Sequence, residues 1–528
     1  MISFISFVKY VIFISLMFQK ILTANRGEIA VRVMRACREL GIGSVAVYSE
    51  ADADALHVRT ADEAYCIGPA QPIESYLNIE KILEVAKKSG AEAVHPGYGF
   101  LAENYEFAKA CEDAGITFIG PNWKAMKLLG NKLESRRTMT EAGLPVIPGM
   151  HAGHSGTAKG ASIKDIEAEA RKIGFPVLVK AASGGGGKGM RIVKNAQDLP
   201  DALESAQRES KSAFGDDTVY IEKCLVQPRH VEFQILCDNY GNVIHLNERE
   251  CSIQRRHQKI VEETPSPALD GDPAKRERMG EAAVKAAKSA GYTNAGTVEM
   301  LLDTEGNFYF LEVNARLQVE HPVTELTTGI DLVHEQIHIA AGEKLRFTQN
   351  DISRIGHAVE VRLYAEDPEN DFLPSSGTIF FTKEPAGPGI RVDSGIYSGC
   401  NVPVYYDPIL SKLIVWAHDR QTSIQRMKCA LADYPILGVK NTGGFLTALM
   451  DNPAFQSGDL STDFLERQAK YFKNWKENRA GIDDAAIAAA LYEPRAAPGT
   501  TGGVFEQRKQ FNPWISIGKW SIGSNEKK

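Results

Sequence analysis

The chain has 528 residues, 43% hydrophobic and 24% charged, which is enough for two to four domains with substantial cores. Its formal net charge of −7 leaves no basic stripe of the kind that binds nucleic acid or an anionic membrane surface. Eight cysteines (37, 66, 111, 224, 237, 251, 400 and 429) are scattered without a CxxC pair, which argues for reduced thiols in a cytoplasm and against a disulfide framework.

The chain opens on an apolar, aromatic stretch in which Lys9 is the only charge. It is short for a membrane span, and it lacks the basic start and small-residue cleavage site of a signal peptide. Gln19 to Asn25 already reads as the first core strand, so translation is expected to start at Met17, with 1–16 an upstream extension and a membrane anchor as the alternative. Ile21-Leu22-Thr23-Ala24, an amphipathic helix from Glu28 to Leu40 and the strand Ser44 to Tyr48 make a βαβ opening. The spacing predicts a doubly wound parallel sheet over 17–124. His95-Pro96-Gly97-Tyr98-Gly99-Phe100-Leu101 falls at a strand-to-helix turn, where open α/β sheets place ligands.

Helices expected over 125–150 link to a second unit, 151–225. There the strand Phe175 to Ala182 runs into Gly184-Gly185-Gly186-Gly187-Lys188-Gly189, and Met190 to Val193 resumes as a strand. A dinucleotide fingerprint needs a helix after its glycines, and a Walker A loop needs a Lys-Ser/Thr pair, so neither applies. A glycine-rich hairpin tip remains, able to fold over phosphates with its backbone N–H groups as a mobile lid. Lys180 near the end of its strand and Lys132 at a helix start are placed to meet phosphate. Val219 to Leu225 reads as a strand returning to the third unit, with backbone groups for an adenine edge.

The third unit spans 226–466. Arg249 to Lys259 gathers four cations and His257 in one polar segment, suited to phosphate or bicarbonate. Val298 to Leu301 and Phe308 to Asn314 read as a hairpin about Asp303-Thr304-Glu305-Gly306-Asn307. Glu312 and Asn314 share one face, with Glu299 opposite Glu312. Two carboxylates and an amide oxygen, without Cys or His, suit Mg²⁺ or Mn²⁺ bridging nucleotide phosphates. Arg316, Gln318, Glu320 and His321 follow at once. Beyond Arg467 the composition shifts to an Ala-rich helix and a Pro/Gly-rich stretch, and 467–528 reads as an appended tail.

Five motifs in this order resemble biotin carboxylase of the ATP-grasp superfamily. They are Ala24-Asn25-Arg26-Gly27-Glu28-Ile29-Ala30, His95 to Leu101, the four-glycine run, Gln254-Arg255-Arg256-His257-Gln258-Lys259, and Glu312-Val313-Asn314-Ala315-Arg316-Leu317-Gln318-Val319-Glu320-His321-Pro322. The resemblance covers about 18–466. It implies an α/β chain that is α+β in its ATP-grasp part: an N-terminal doubly wound sheet, a glycine-rich lid, and a large C-terminal region with a mixed sheet and a barrel-like part. By the resemblance, Glu299, Glu312 and Asn314 are metal ligands. Lys132, Lys180, Gly184, Gly185, Gly186, Gly187, Lys188, Gly189, Glu222, Lys223, Leu225, His230, Gln254, His257 and Leu301 form the ATP site. Lys259, Arg316, Gln318 and the Val319 backbone take bicarbonate. Glu320 is the general base, Arg362 steadies the biotin enolate, and Tyr98 lies in the biotin pocket. Asn131 departs from the acidic residue common at its place, with the chemistry intact. Ala125-Met126-Lys127 resembles a biotin-bearing tripeptide but lies far from any carrier domain, and is a coincidence.

The implied reaction is ATP-dependent carboxylation of biotin by bicarbonate, with ATP, Mg²⁺ or Mn²⁺, and biotin held on a separate carrier protein. No carrier or carboxyltransferase sequence follows 466, so both are expected as separate polypeptides, and the resemblance implies a homodimer. An acyl-CoA carboxylase (acetyl or propionyl) is the favoured complex and a two-subunit pyruvate carboxylase the alternative. A different ATP-grasp ligase is a second enzyme reading and an inactive scaffold a non-enzymatic one. The pairing of Glu320, Arg362 and Tyr98 speaks against the ligase, and the intact metal ligands and base against the scaffold.

Overall fold

A computed structural model of the chain describes residues 17–149, 163–181, 190–214, 219–256 and 258–477. The expectations for 1–16, for the glycines and lysine of 184–189, for His257 and for the tail beyond 477 lie outside these residues.

Strands β1 (Lys20–Thr23), β2 (Gly43–Ser49), β3 (Glu63–Gly68), β4 (Ala93–His95) and β5 (Thr117–Phe118) form a parallel sheet in the order β3-β2-β1-β4-β5. Both faces are covered, so Ile21, Leu22, Val45 and Val47 are buried wherever they point. Helix Gly27–Glu39 buries Ile29, Ala30, Val33, Met34, Ala36 and Cys37, an apolar stripe at helical spacing. The strand order reverses between β1 and β4, the switch point at which such sheets bind ligands. Asn25, just past β1, ties that end together: its Nδ2 donates to the carbonyls of Pro96 and Tyr98, each at 2.7 Å.

The second unit is a small antiparallel sheet, β7 (Arg191–Val193), β6 (Val177–Ala181) and β8 (Val219–Lys223), in that order. Helices Ile163–Ile173 and Leu199–Phe214 cover it, with Ala170, Leu199, Leu203 and Ala206 packed against Val177, Val179, Val193 and Ile221. The strand expected after the glycine run is β7, paired antiparallel with β6.

The third unit holds β9 (Arg229–Cys237), β10 (Val243–Arg255), β11 (Gln258–Thr264), β12 (Asn294–Leu302), β13 (Phe308–Asn314) and β14 (His357–Tyr364), followed by strands Ile390–Ser394 and Ile409–Ala417. These eight strands form one sheet in which every described pairing is antiparallel, where a mixed sheet was expected. The helices between β11 and β12, and between β13 and β14, join strands that are not neighbours, so they create no parallel pair. The barrel-like part is resolved as three two-stranded ladders, such as Phe381–Thr382 with Ile436–Leu437.

Two cores flank the large sheet. Helix Pro273–Ser289 packs its alanines with Phe233, Val298 and Met300, and Met126, Leu129 and Met139 of the two helices expected as linkers join the same core. On the other side Ile29 and Val33 of the N-terminal unit meet Leu236, Ile244 and Leu317. The N-terminal switch point is thereby brought against the segment after β13. All eight cysteines are free thiols. Among the described residues no helix is long and apolar enough to cross a membrane.

Candidate active site

The site is built on three adjacent strands. Glu299 of β12 stands opposite Glu312 of β13 on one side and Glu232 of β9 on the other, the hairpin register expected from the sequence. Carboxylates placed side by side across strands repel, so a cation must lie among them. Lys259 of β11 supplies it. Its Nζ donates to Glu232 Oε2 (2.5 Å), Glu299 Oε1 (2.7 Å) and Glu320 Oε1 (2.7 Å). An ammonium has three N–H donors, and all three are engaged.

Glu320 is fully buried between Lys259 and Arg362, whose Nη2 reaches Glu320 Oε2 at 2.9 Å. Burial alone would raise its carboxyl, but Lys259 first, then Arg362 and Arg249, outweigh it and hold Glu320 well below the usual range. Arg362 also donates from Nε to Glu262 Oε1 at 2.7 Å. Burial lifts Glu262 to about 7 despite that arginine, with the charge of Glu320 adding to the rise. Arg249 is wholly buried behind the cluster, bonded to Glu232 (2.6 Å), Gln234 (2.8 Å), Thr297 and Thr324 (both 3.0 Å).

Glu299, Glu312 and Asn314 lie beside this network. Glu312 is half-buried and its carboxyl is raised, first by burial and then by the charge of Glu299, with Lys132 opposing. Glu299 is held low: burial is outweighed by Lys259 and then His230. Two carboxylates in register, one of them destabilised by the other, with the Asn314 amide beside them, form a hard oxygen set that a divalent cation would relieve. Asn314 Oδ1 accepts from Arg316 Nη2 at 3.3 Å. Arg316 Nη1 in turn donates to Gln318 Oε1 at 2.6 Å, and Gln318 Nε2 to Glu299 Oε1 at 3.2 Å.

His230 and Gln254 meet at the other flank. Gln254 Nε2 lies 2.8 Å from His230 Nδ1, and His230 Nε2 lies 3.2 Å from Glu299 Oε2. Leu301 stands in register with His230 and is half-buried. Lys180 bonds Glu222 Oε2 at 2.5 Å, and Arg136 bonds the other oxygen of Glu222. The Lys223 amide donates to Pro148 O at 2.7 Å, and Leu225 is half-buried just beyond the end of β8. Lys132 is exposed at its helix start, where the Asn131 side chain accepts from the Glu134 amide. The Tyr98 hydroxyl is buried without a hydrogen-bond partner among the described residues.

The structure thus gathers Lys259, Glu299, Gln318, Glu320 and Arg362 into one network. Lys180, Glu222 and Lys223 belong to the small sheet. The basic segment Arg249 to Lys259 is not one anion cradle. It is the β10–β11 hairpin, which sends Arg249 into the core behind the carboxylates, where it bonds Glu232, Arg255 to Glu366 (2.6 Å) and Lys259 into the midst of the carboxylate cluster. Arg256 is exposed at the tip with φ +51°. Sequence reasoning misses Glu232, Glu262 and Arg136. His230, Glu232 and Gln234 alternate along β9, and that polar stripe in an otherwise apolar strand is the available signal.

The chain is similar to known proteins along most of its length. Residues 17–126 match the biotin carboxylase N-terminal domain, 131–348 the ATP-binding domain of the carbamoyl-phosphate synthase L chain, and 360–467 the biotin carboxylase C-terminal domain. A pyruvate carboxylase subunit of Methanothermobacter thermautotrophicus is 57% identical over 88% of this chain and 91% of its own. Biotin carboxylase of Nostoc sp. is 52% identical over 86% of this chain and 100% of its own. The crystal structure of the biotin carboxylase domain dimer of Hydrogenobacter thermophilus 2-oxoglutarate carboxylase, with MgADP, ADP and bicarbonate, is 50% identical. It covers 86% of this chain and 99% of its own, with a TM-score of 0.80.

Proposed function

The chain belongs to the biotin carboxylase family of ATP-dependent ligases, and on that footing we propose that it carboxylates biotin held on a separate carrier protein, in a cytoplasm, as a homodimer working with carboxyltransferase subunits. The observation that carries the reading is the buried Glu320, held between Lys259 and Arg362 beside the paired Glu299 and Glu312.

Bicarbonate is a poor electrophile and must first be phosphorylated. Glu299, Glu312 and Asn314 would hold a divalent cation, which supplies charge neutralisation at the nucleotide phosphates. Lys180 and Lys132 add positive charge there, while His230 and Gln254, with Glu222 to Leu225 and Leu301, seat the nucleoside. Lys259, Arg316, Gln318 and the Val319 backbone receive bicarbonate. Bicarbonate taken up by Lys259 would weaken the pairing of its ammonium with Glu320, and a weaker pairing raises the proton affinity of Glu320 when a base is needed. Glu320 then takes the bicarbonate proton as the bicarbonate oxygen bonds to the γ-phosphorus and the bond to ADP breaks. The carboxyphosphate so formed splits into CO₂ and phosphate. Phosphate, or Glu320 once it has passed its proton to that phosphate, removes the ureido proton of biotin, Arg362 stabilises the resulting oxyanion, and the ureido nitrogen bonds to CO₂.

The acceptor never meets this polypeptide, so the site's geometry does not choose it. An acyl-CoA, acetyl or propionyl, is the first reading. Pyruvate is the second, favoured by the similarity to the pyruvate carboxylase subunit of Methanothermobacter thermautotrophicus. Carboxybiotin-carrier made by this chain should pass its label to acetyl- or propionyl-CoA when mixed with the matching carboxyltransferase. Transfer only to pyruvate by a pyruvate-specific transferase would replace the first reading with the second.

A further inference from the structure

Lys412 sits in the middle of the apolar strand Ile409–Ala417 and is fully buried. A charge in such a place persists only with partners. Its Nζ donates to the Val319 carbonyl at 2.8 Å and stands 3.6 Å from Glu28 Oε1 and 3.7 Å from Asp393 Oδ2. The same nitrogen lies 5.8 Å from the centre of the Tyr98 ring. In register Lys412 stands opposite Arg362 on one side and Asp393 on the other.

Glu28 comes from the N-terminal unit, in the first turn of helix Gly27–Glu39. Both of its carboxylate oxygens are buried, with no hydrogen-bond donor within bonding distance among the described residues. The helix end is pressed against the third unit: a Cβ on Gly395 would lie 2.8 Å from the Glu28 amide nitrogen, so only glycine admits this approach. Burial pushes Glu28 up to about 7 against the pull of Lys412.

The segment Gln318–Glu320 is tied at both ends through its side chains. Gln318 bonds Glu299, and Glu320 bonds Lys259 and Arg362. The bond from Lys412 grips the backbone between them and involves none of those groups. We infer that Lys412 is a positioning residue for this reaction: by holding the Val319 carbonyl while its ammonium stands near the Tyr98 ring, it fixes Gln318–Glu320 between bicarbonate and biotin, with Glu28 and Asp393 as its counter-charges. The inference rests on the roles proposed above for Gln318, Val319, Glu320 and Tyr98.

Lys412→Met, Lys412→Arg and Glu28→Gln in the full chain test it. Biotin-dependent fixation of labelled bicarbonate and the KM for MgATP are measured from pH 6 to 8 at constant bicarbonate, alongside thermal melting. Lys412→Met should lose about 100-fold in the kcat of fixation, the scale of a small misplacement, with the MgATP KM within about twofold of the parent. Lys412→Arg should recover most of that loss. The groups facing Lys412 are Glu28, Asp393, Glu360, Arg362 and His321, and Arg391 acts on Glu28. Of these Glu28 gains its charge as pH rises through about 7, so fixation should rise more steeply there in the parent than in Glu28→Gln, where the rise that remains belongs to Glu262.

A parent-like kcat in a folded Lys412→Met would overturn the inference. So would losses in fixation, MgATP binding and melting temperature that move together and are not recovered by arginine, since that is a structural role only. If Lys412→Met does not fold, the other two variants decide. A near-parent Lys412→Arg with a flattened Glu28→Gln profile supports the inference, and an unchanged Glu28→Gln profile overturns it. Should the parent chain itself fix no label on biotin, the functional reading fails, and the inference falls with it before any variant is compared.

Discussion

Replacing Glu299 or Glu312 by Gln should lower bicarbonate-dependent ATP cleavage by roughly 100-fold or more, the scale seen when one preorganised group is lost from a charge-stabilising site. The two substitutions differ in what else they disturb. Glu299 Oε1 accepts from Lys259 and Gln318, bonds that a Gln oxygen can keep, but Oε2 faces His230, so Glu299→Gln sets an N–H against that ring, removes a charge from Lys259 and should lower the melting temperature. Glu312 carries a carboxyl raised by burial and by its neighbour's charge. A carboxyl with a raised folded pKa favours the fold below its unfolded value, and that contribution is lost as pH rises through the folded one. At neutral pH the ligand-free protein therefore carries a repulsion that Glu312→Gln removes. That variant should melt at or above the parent temperature while losing turnover, as expected where a site is kept at the expense of stability. Steady-state ADP release and differential scanning calorimetry check both halves. Near-parent turnover in either variant would remove the carboxylates from the metal site.

Arg362→Ala should separate the two halves of the reaction. Biotin-dependent fixation is expected to fall about 100-fold, because the oxyanion of biotin loses its cation. Bicarbonate-dependent ATP cleavage without biotin should fall by no more than about tenfold, since Lys259 and Arg249 still act on Glu320. Removing Arg362 leaves Glu262 and Glu320 buried without their shared partner, and breaking such a cluster destabilises by about 3–5 kcal/mol. Arg362→Lys, which keeps a charge in place, is the control for folding. Equal losses in fixation and cleavage would move Arg362 out of its assigned role.

The sequence is most legible where local rules suffice. Turn residues between two alternating segments place Glu299 opposite Glu312, and the structure has that pair in register. The opening βαβ pattern leads to the parallel sheet and its switch point at Asn25 and Tyr98. Long-range pairing is not legible. Nothing local says that β12 lies beside β9, so Glu232 cannot be set next to Glu299 from the sequence. The basic run through Lys259 reads as one segment because a hairpin's alternation sends its cations to opposite faces only once the strands are known. Lys412 carries a signal that is easily passed over: a lone lysine inside Ile409-Leu410-Ser411-Lys412-Leu413-Ile414-Val415 is a buried charge, and buried charges are held for a reason.

The measurement closest to the central claim is ATP-dependent transfer of labelled bicarbonate onto free biotin by the purified full chain with Mg²⁺. The account predicts label recovered as carboxybiotin, dependent on ATP, bicarbonate and biotin together, with ADP formed at least in step. ADP released with no label on biotin would contradict it and point to another acceptor, and absence of both products would contradict the assignment of Glu320 as a working base.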